Sequence, residues 1–237
     1  MMPGILALDT STDACSVAFL HERAANESHL NLARAHNQHI LAMVDEVLGQ
    51  SSLENDVGTI VVGVGPGSFT GLRVAVGVAQ GLAWSQSIAI VTCCSLTAQL
   101  FAAMDGGLDD VSAVLSVTDA QIGQIYGQWF GAEKGDLEVL GEPFLCAPDN
   151  VVIPEGLCDR RIAVIGSGCD ALKQVAFANS VAVWEPLCRP RALSMARLFA
   201  RGKQAWFTPV EAPAALQPHY VQQTIGWKKL TEQGRHG

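Results

Sequence analysis

Two short stretches carry residue types that could hold an anion. Asp9-Thr-Ser-Thr12 follows the apolar run Gly4-Ile-Leu-Ala-Leu8, where a strand ends in a turn. Gly65-Pro-Gly-Ser-Phe-Thr-Gly-Leu-Arg73 follows a second apolar run, Thr59-Ile-Val-Val-Gly-Val64. Pro66-Gly67 suits a tight turn, and Ser68 or Thr70 can cap the helix that comes next. A helix start preceded by small residues offers free N–H groups and the positive end of a dipole to a phosphate. Asp9, Thr10, Ser11, Gly67, Ser68 and Thr70 are therefore candidate phosphate or nucleotide contacts, with ATP or ADP as the candidate ligand. The named phosphate motifs do not match. No Gly-Lys-Ser/Thr follows, as a P-loop requires, and Gly71 is one place late for the dinucleotide fingerprint. Ordinary turn geometry accounts for the same residues.

Other chemistry is thinner. His36 and His39 lie one helical turn apart, a metal-like spacing with no third ligand in view, so no metal site is assigned. A histidine-lined helix face explains them as well. Asp119 ends a second strand and could echo Asp9, or simply satisfy its turn. Ser68 has neither a Gly-x-Ser-x-Gly elbow nor a histidine nearby in sequence, which leaves no catalytic nucleophile. The seven cysteines are scattered, without a CxxC pair, and read as buried thiols in a reducing compartment.

These residues need elements to position them. Gly4–Asp9 and Ala14–Leu20 read as a strand pair, with a third strand around Glu27–Leu32. Helical spacing runs from Asn37 to Gln50 through Ile40, Leu41, Val44, Val47 and Leu48, and His36, His39 and Met43 widen that stripe. After the Thr59–Val64 strand and the glycine turn comes a helix through Trp84, then a strand at Ile88–Thr92 and a helix from Ser95 to Met104. Asp105-Gly-Gly-Leu-Asp-Asp110 marks a boundary. Beyond it the order repeats: strands at Val111–Thr118, Gln124–Phe130, Leu137–Leu140 and Arg161–Gly168, a helix at Ala171–Phe177, a strand at Val181–Trp184 and a helix from Leu193 to Gln204. A proline-punctuated tail from Pro209 runs back over the surface. Hairpins followed by alternating helix and strand, twice over, predict an α/β protein of two mixed-sheet lobes.

The helix after the glycine turn is unusual. Between Leu72 and Ala83 it carries one charge, Arg73, and one uncharged polar residue, Gln80. A surface helix normally keeps a polar face. Gly77-xxx-Gly81, beside Ala75, Ala79 and Ala83, lets a second helix approach closely. Packing on its own sheet explains one apolar side, and the other predicts a protein interface.

Composition narrows the function classes. Hydrophobic residues make up 49% and charged ones 16%, at a net charge of −8. A chain that grips phosphate backbones alone needs a basic surface, so any nucleic-acid role requires a basic partner. The apolar run Ile5–Leu8 is too short for a signal peptide, and no run approaches the ~18 apolar residues of a membrane span. A cytoplasmic protein is expected.

Three motifs together identify a resemblance. Ile5-Leu-Ala-Leu-Asp-Thr-Ser-Thr-Asp-Ala-Cys-Ser-Val-Ala18, the Gly65–Arg73 turn and Tyr220…Trp227-Lys-Lys-Leu230 resemble the TsaB (YeaZ) family over nearly the whole chain, as do Asp119-Ala and Gly166-Ser-Gly168. The resemblance implies a two-lobed actin-like/Hsp70-like (ASKHA) fold with duplicated ribonuclease-H-like lobes. Residues 1–106 would be the N-terminal lobe with the partner helices, 107–208 a degenerate C-terminal lobe and 209–237 a tail packed on both. It implies a non-catalytic subunit that pairs with TsaD, the metal-bearing enzyme that makes threonylcarbamoyladenosine in tRNAs reading ANN codons. TsaE, an ATPase, joins them, and tRNA is contacted only indirectly; alone, the chain would form a homodimer through the same face. The expected interface comprises His36, His39, Ile40, Met43, Val47, Arg73, Val76, Gly77, Gln80 and Trp84, with any ATP or ADP held at that junction. TsaD-like chains carry a His-x-x-x-His metal pair where this sequence has Ser95 and Gln99, so the metal would be lost. The alternative is a stand-alone actin-like ATPase or small-molecule kinase. A peptidase has no catalytic pair to support it.

Overall fold

Six consecutive buried residues make β1 (Gly4–Asp9) a central strand covered on both faces. Its side chains alternate between two cores. Leu6 and Leu8 face one, Ile5 and Ala7 the other. The computed structural model describes residues 3–22, 24–32, 35–133, 136–157 and 160–221. Cys158 and the Trp227–Leu230 motif lie outside the described residues.

The first sheet continues through β2 (Ala14–His21) and β3 (Ala24–Asn31), both antiparallel, and through β4 (Val57–Gly63) and β5 (Ala89–Cys93), both parallel. On one side lie α1 (His36–Leu48) and α3 (Phe69–Gln86), with the short α2 (Leu53–Asp56) between them in sequence. Ile40, Met43, Val44 and Val47 of α1 and Ala75, Val76, Ala79 and Ala83 of α3 fill the core there. Next in the chain comes α4 (Ser95–Asp105), buried at every position from Ser95 to Ala103.

The second lobe repeats the arrangement. β6 (Ala113–Gln121), β7 (Gln124–Glu133) and β8 (Asp136–Val139) form an antiparallel meander, and short β9 (Phe144–Cys146) pairs with β7. β10 (Ile162–Ile165), α5 (Cys169–Leu172) and β11 (Val181–Glu185) follow, with β10 and β11 parallel to β6. The strand orders β5-β4-β1-β2-β3 and β11-β10-β6-β7-β8 are the same order twice. This is the duplicated ribonuclease-H-like arrangement of the actin-like fold. α4 serves both lobes: Ala98 packs in the first core, Leu100, Phe101 and Ala103 in the second.

The end of the chain departs from expectation. α6 (Ala192–Ala200) was expected to complete the second lobe, but Ala192, Met195 and Ala196 pack on Ile5, Ala7 and Ala18 of the first sheet. The small side chains of Ala7 and Ala18 leave room for a helix. Ser16 and Glu27 secure its start, accepting the Ala192 and Leu193 amides at 2.9 and 3.1 Å. β12 (Phe207–Val210) then adds to the edge of the first sheet, antiparallel to β5. Pro209 disguised it in sequence, and an edge strand is where proline is tolerated. The helix expected over 171–177 stops at Leu172.

Candidate interaction surface and the Asp9 turn

Asp9 sits at the end of β1, 1% exposed. Its Oδ1 accepts from the Ser11 amide at 2.9 Å and the Ser11 hydroxyl at 2.7 Å, and Oδ2 accepts from Ser95 Oγ at 2.9 Å. Burial raises its carboxyl above the usual carboxylate value, and the Ser11 and Ser95 hydrogen bonds partly offset that. Ser95 Oγ also accepts the Gly65 amide at 3.0 Å, so a hydroxyl joins the two candidate anion loops through Asp9. A Cβ on Gly63 would fall 1.9 Å from Asp9 Oδ2, which shows how closely the carboxylate is enclosed.

The start of α3 is equally occupied. Ser68 N donates to the Ser11 carbonyl at 2.7 Å, Gly71 N to Ser68 Oγ at 3.3 Å, and Thr10 Oγ1 to the Gly71 carbonyl at 2.7 Å. A Cβ would lie 2.3 Å from the Ser11 carbonyl at Gly67. Carbonyl oxygens of Thr10 and Ser11 thus lie against Gly67, Ser68 and Gly71. Carbonyls beside a helix start repel an anion; what they do here is fix the helix to the strand turn. Thr70 stays exposed at the rim.

Ser95 and Gln99 both serve the fold. Gln99, wholly buried, shares its Nε2 among Ser116 Oγ at 2.9 Å, Ile165 O at 3.1 Å and Val117 O at 3.2 Å. It joins α4 to the second sheet, in space that Gly166 leaves open by lacking a Cβ. Among the described residues no group of three metal-ligating side chains is present. Asp119 accepts the Gln121 amide within its own turn, and its backbone amide donates to Ser167 Oγ. Burial pushes the Cys15, Cys169 and Cys188 thiols up to about 12 and raises Cys93 and Cys94, so these five stay protonated near neutrality.

The residues expected at an interface divide into two sets. Ile40, Met43, Val47 and Val76 belong to the core of the free chain, and His36 is buried beside them in α1 with Nε2 unpartnered. His39, Arg73, Gly77 and Trp84 are exposed, Trp84 at 71%. Gln80 is half-buried and already used: its Nε2 donates to the Pro213 and Leu216 carbonyls, both at 3.0 Å. The described part of the tail, up to residue 221, therefore runs along α3, pinned further by His219 N to the Val64 carbonyl at 2.7 Å. A Cβ at Gly77 or Gly81 would meet nothing within 4 Å. So α3 buries one side and opens the other, a stripe through Arg73, Gly77, Gly81 and Trp84.

Sequence reasoning did not single out Phe69 and Leu41, each 56% exposed, as surface positions. Their apolar character signals burial, and only the neighbouring elements decide otherwise. A groove of about 520 Å³ opens at the far end of α3, between Trp84, Ile88, Val210 and Pro213.

Residues 30–183 match the family model described as TsaD, tRNA N6-adenosine threonylcarbamoyltransferase. A Haemophilus influenzae relative, tRNA threonylcarbamoyladenosine biosynthesis protein TsaB, is 33% identical over 95% of this chain and 96% of its own length. Two solved structures from Pseudomonas aeruginosa superpose closely. One, an uncharacterized protein with similarity to peptidase YeaZ, is 28% identical with a TM-score of 0.81, over 93% of this chain and all of its own. The other, YeaZ, is 29% identical with a TM-score of 0.78, over 92% and 100%.

Proposed function

The chain belongs to the TsaB (YeaZ) family, and on that premise we propose that it acts in tRNA threonylcarbamoyladenosine biosynthesis as the non-catalytic subunit that docks on TsaD. One observation carries the reading: the outer face of α3, uncharged but for Arg73, is open over Gly77 and Gly81. Small residues in a helical stripe let a second helix come within close van der Waals range. Helix α1 adds His39 and exposed Leu41. Core residues such as Val76 shape that face from below and do not touch the partner.

The absence of a catalytic role rests on the enclosure of Asp9, the carbonyls at the α3 start, and the structural uses of Ser95 and Gln99. A stand-alone ATPase would need Asp9 facing a nucleotide, and nothing in its geometry favours that. Any ATP or ADP would be held by residues of the partner. In this reading TsaE joins the TsaD pair, the free chain self-associates through the same face in the cytoplasm, and tRNA is gripped by the other subunits.

Gly77→Arg tests the reading. It should abolish co-purification with TsaD, leave the circular dichroism spectrum intact, and stop modification of unmodified tRNA by the reconstituted subunits. Full complex formation by this variant places the interface elsewhere. Saturable ATP binding by the isolated chain, seen by calorimetry and weakened by Asp9→Ala, would restore the ATPase reading.

A further inference from the structure

Arg73 is the only charged residue in α3. It lies toward the N-terminal end of that helix, where the dipole favours anions rather than cations. Its surroundings hold it in one pose. The guanidinium carbon lies 3.8 Å from the centroid of the Phe69 ring, and Nε donates to the Tyr220 hydroxyl at 3.1 Å. Phe69 and Tyr220 sit 5.4 Å apart, centroid to centroid, and both stay exposed, at 56% and 37%. Two rings thereby restrain a side chain that would otherwise sample many rotamers. The remaining edge of the fork is unused: among the described residues no carboxylate lies within ion-pair distance of Arg73.

We infer that Arg73 is the docking point for a carboxylate on the TsaD helix that packs along α3. This rests on the interface reading above. Arg73 is on the same stripe as Gly77 and Gly81, so a helix close enough to cover the glycines brings its side chains onto the fork. Covering an unpaired guanidinium is costly, whereas a planar fork takes a carboxylate in two parallel hydrogen bonds. A point of this kind fixes register along an otherwise featureless apolar stripe, and so selects one partner over other apolar helices. Phe69 and Tyr220 are positioning residues, holding the fork from behind.

The test measures affinity of the full chain for TsaD at low and moderate salt. Arg73→Gln should weaken binding by about tenfold, the scale of an interface anchor, and flatten its salt dependence. Arg73→Lys should recover only part of the loss, because an ammonium lacks the fork. Tyr220→Phe should weaken binding a few-fold by releasing Nε. Replacing single Asp or Glu residues of the TsaD docking helix by Arg should find one position where Arg73→Glu restores affinity. If Gly77→Arg blocks binding while Arg73→Gln leaves affinity and salt dependence unchanged, the interface stands and the carboxylate inference falls. If neither variant changes binding, the interface reading falls with it. An effect of Arg73→Gln on self-association alone would assign the carboxylate to a second copy and overturn the proposal.

Discussion

Thr10 and Gly71 hold each other across the Asp9–Thr12 turn and the glycine turn. Thr10 Oγ1 donates to the Gly71 carbonyl at 2.7 Å, and a Cβ on Gly71 would fall 2.0 Å from the Thr10 carbonyl. The contact sets where α3 leaves the sheet, and so where its open face points. Gly71→Ala should lower stability by about 2 kcal/mol, the cost of forcing volume into a packed site. Chemical denaturation of the purified chain measures this. An unchanged midpoint would mean that the two turns are not in tight contact.

Gly77 and Gly81 should behave in the opposite way. Alanine at either position meets no neighbour and restrains the unfolded chain, so each should stabilise the isolated protein by about 0.5–1 kcal/mol. The same substitutions should weaken TsaD binding, because a methyl group holds the second helix away. A gain in stability together with undiminished binding would remove these glycines from the interface.

Two carboxyls in one turn should titrate with opposite sign. Asp9 has a raised pKa, so its favourable contribution is complete below the usual carboxylate value and is lost as pH rises through the folded value. Asp13 is held low, first by hydrogen bonds from Arg189, so its contribution is complete above the usual value and is lost as pH falls through the folded one. Asp9→Asn should therefore gain on the wild type as pH rises from the usual carboxylate value, about 4, toward neutrality. Asp13→Asn should lose stability at neutral pH, by less than about 1 kcal/mol since that side chain is half exposed, and the deficit should vanish in acid. Thermal melts of the three proteins across that range read both signs.

Gln80→Ala should loosen the tail from α3. It strips the Pro213 and Leu216 carbonyls of their shared donor, worth about 1–2 kcal/mol. Hydrogen exchange should rise selectively at residues 211–221. Uniform exchange would show that buried Leu216 alone anchors the tail.

Much of this was legible in the sequence because local rules and the fold agreed. β1, β2, α1 and α3 follow hydrophobic period and turn chemistry closely, and the second lobe repeats the pattern. The open stripe on α3 was foreseen because helix geometry alone gives such a helix two apolar sides. What remained hidden was three-dimensional. Ile40, Met43, Val47 and Val76 share the character of the exposed stripe, and only the placement of α1 and α3 on the sheet turns them inward. Asp9-Thr-Ser-Thr12 carries phosphate-binding residue types, yet its carbonyls and side chains bond back to the chain itself. Non-local contacts of that kind, such as Ser95 with Asp9, leave no spacing to read. β12 was missed because Pro209 argues against a strand wherever edge position is unknown.

The first sheet takes its outermost strand from residues 207–210, after the whole second lobe has intervened in the chain. The second lobe is thus inserted within the first rather than appended to it. During synthesis, the first sheet and its α6 cover cannot close until the second lobe and residues 207–210 have left the ribosome. A product cut short in the second lobe would lack both, leaving Ile5, Ala7 and Ala18 uncovered. The α6-covered face of the first sheet is therefore finished late, whereas α1 and α3 pack on its other face from segments made early.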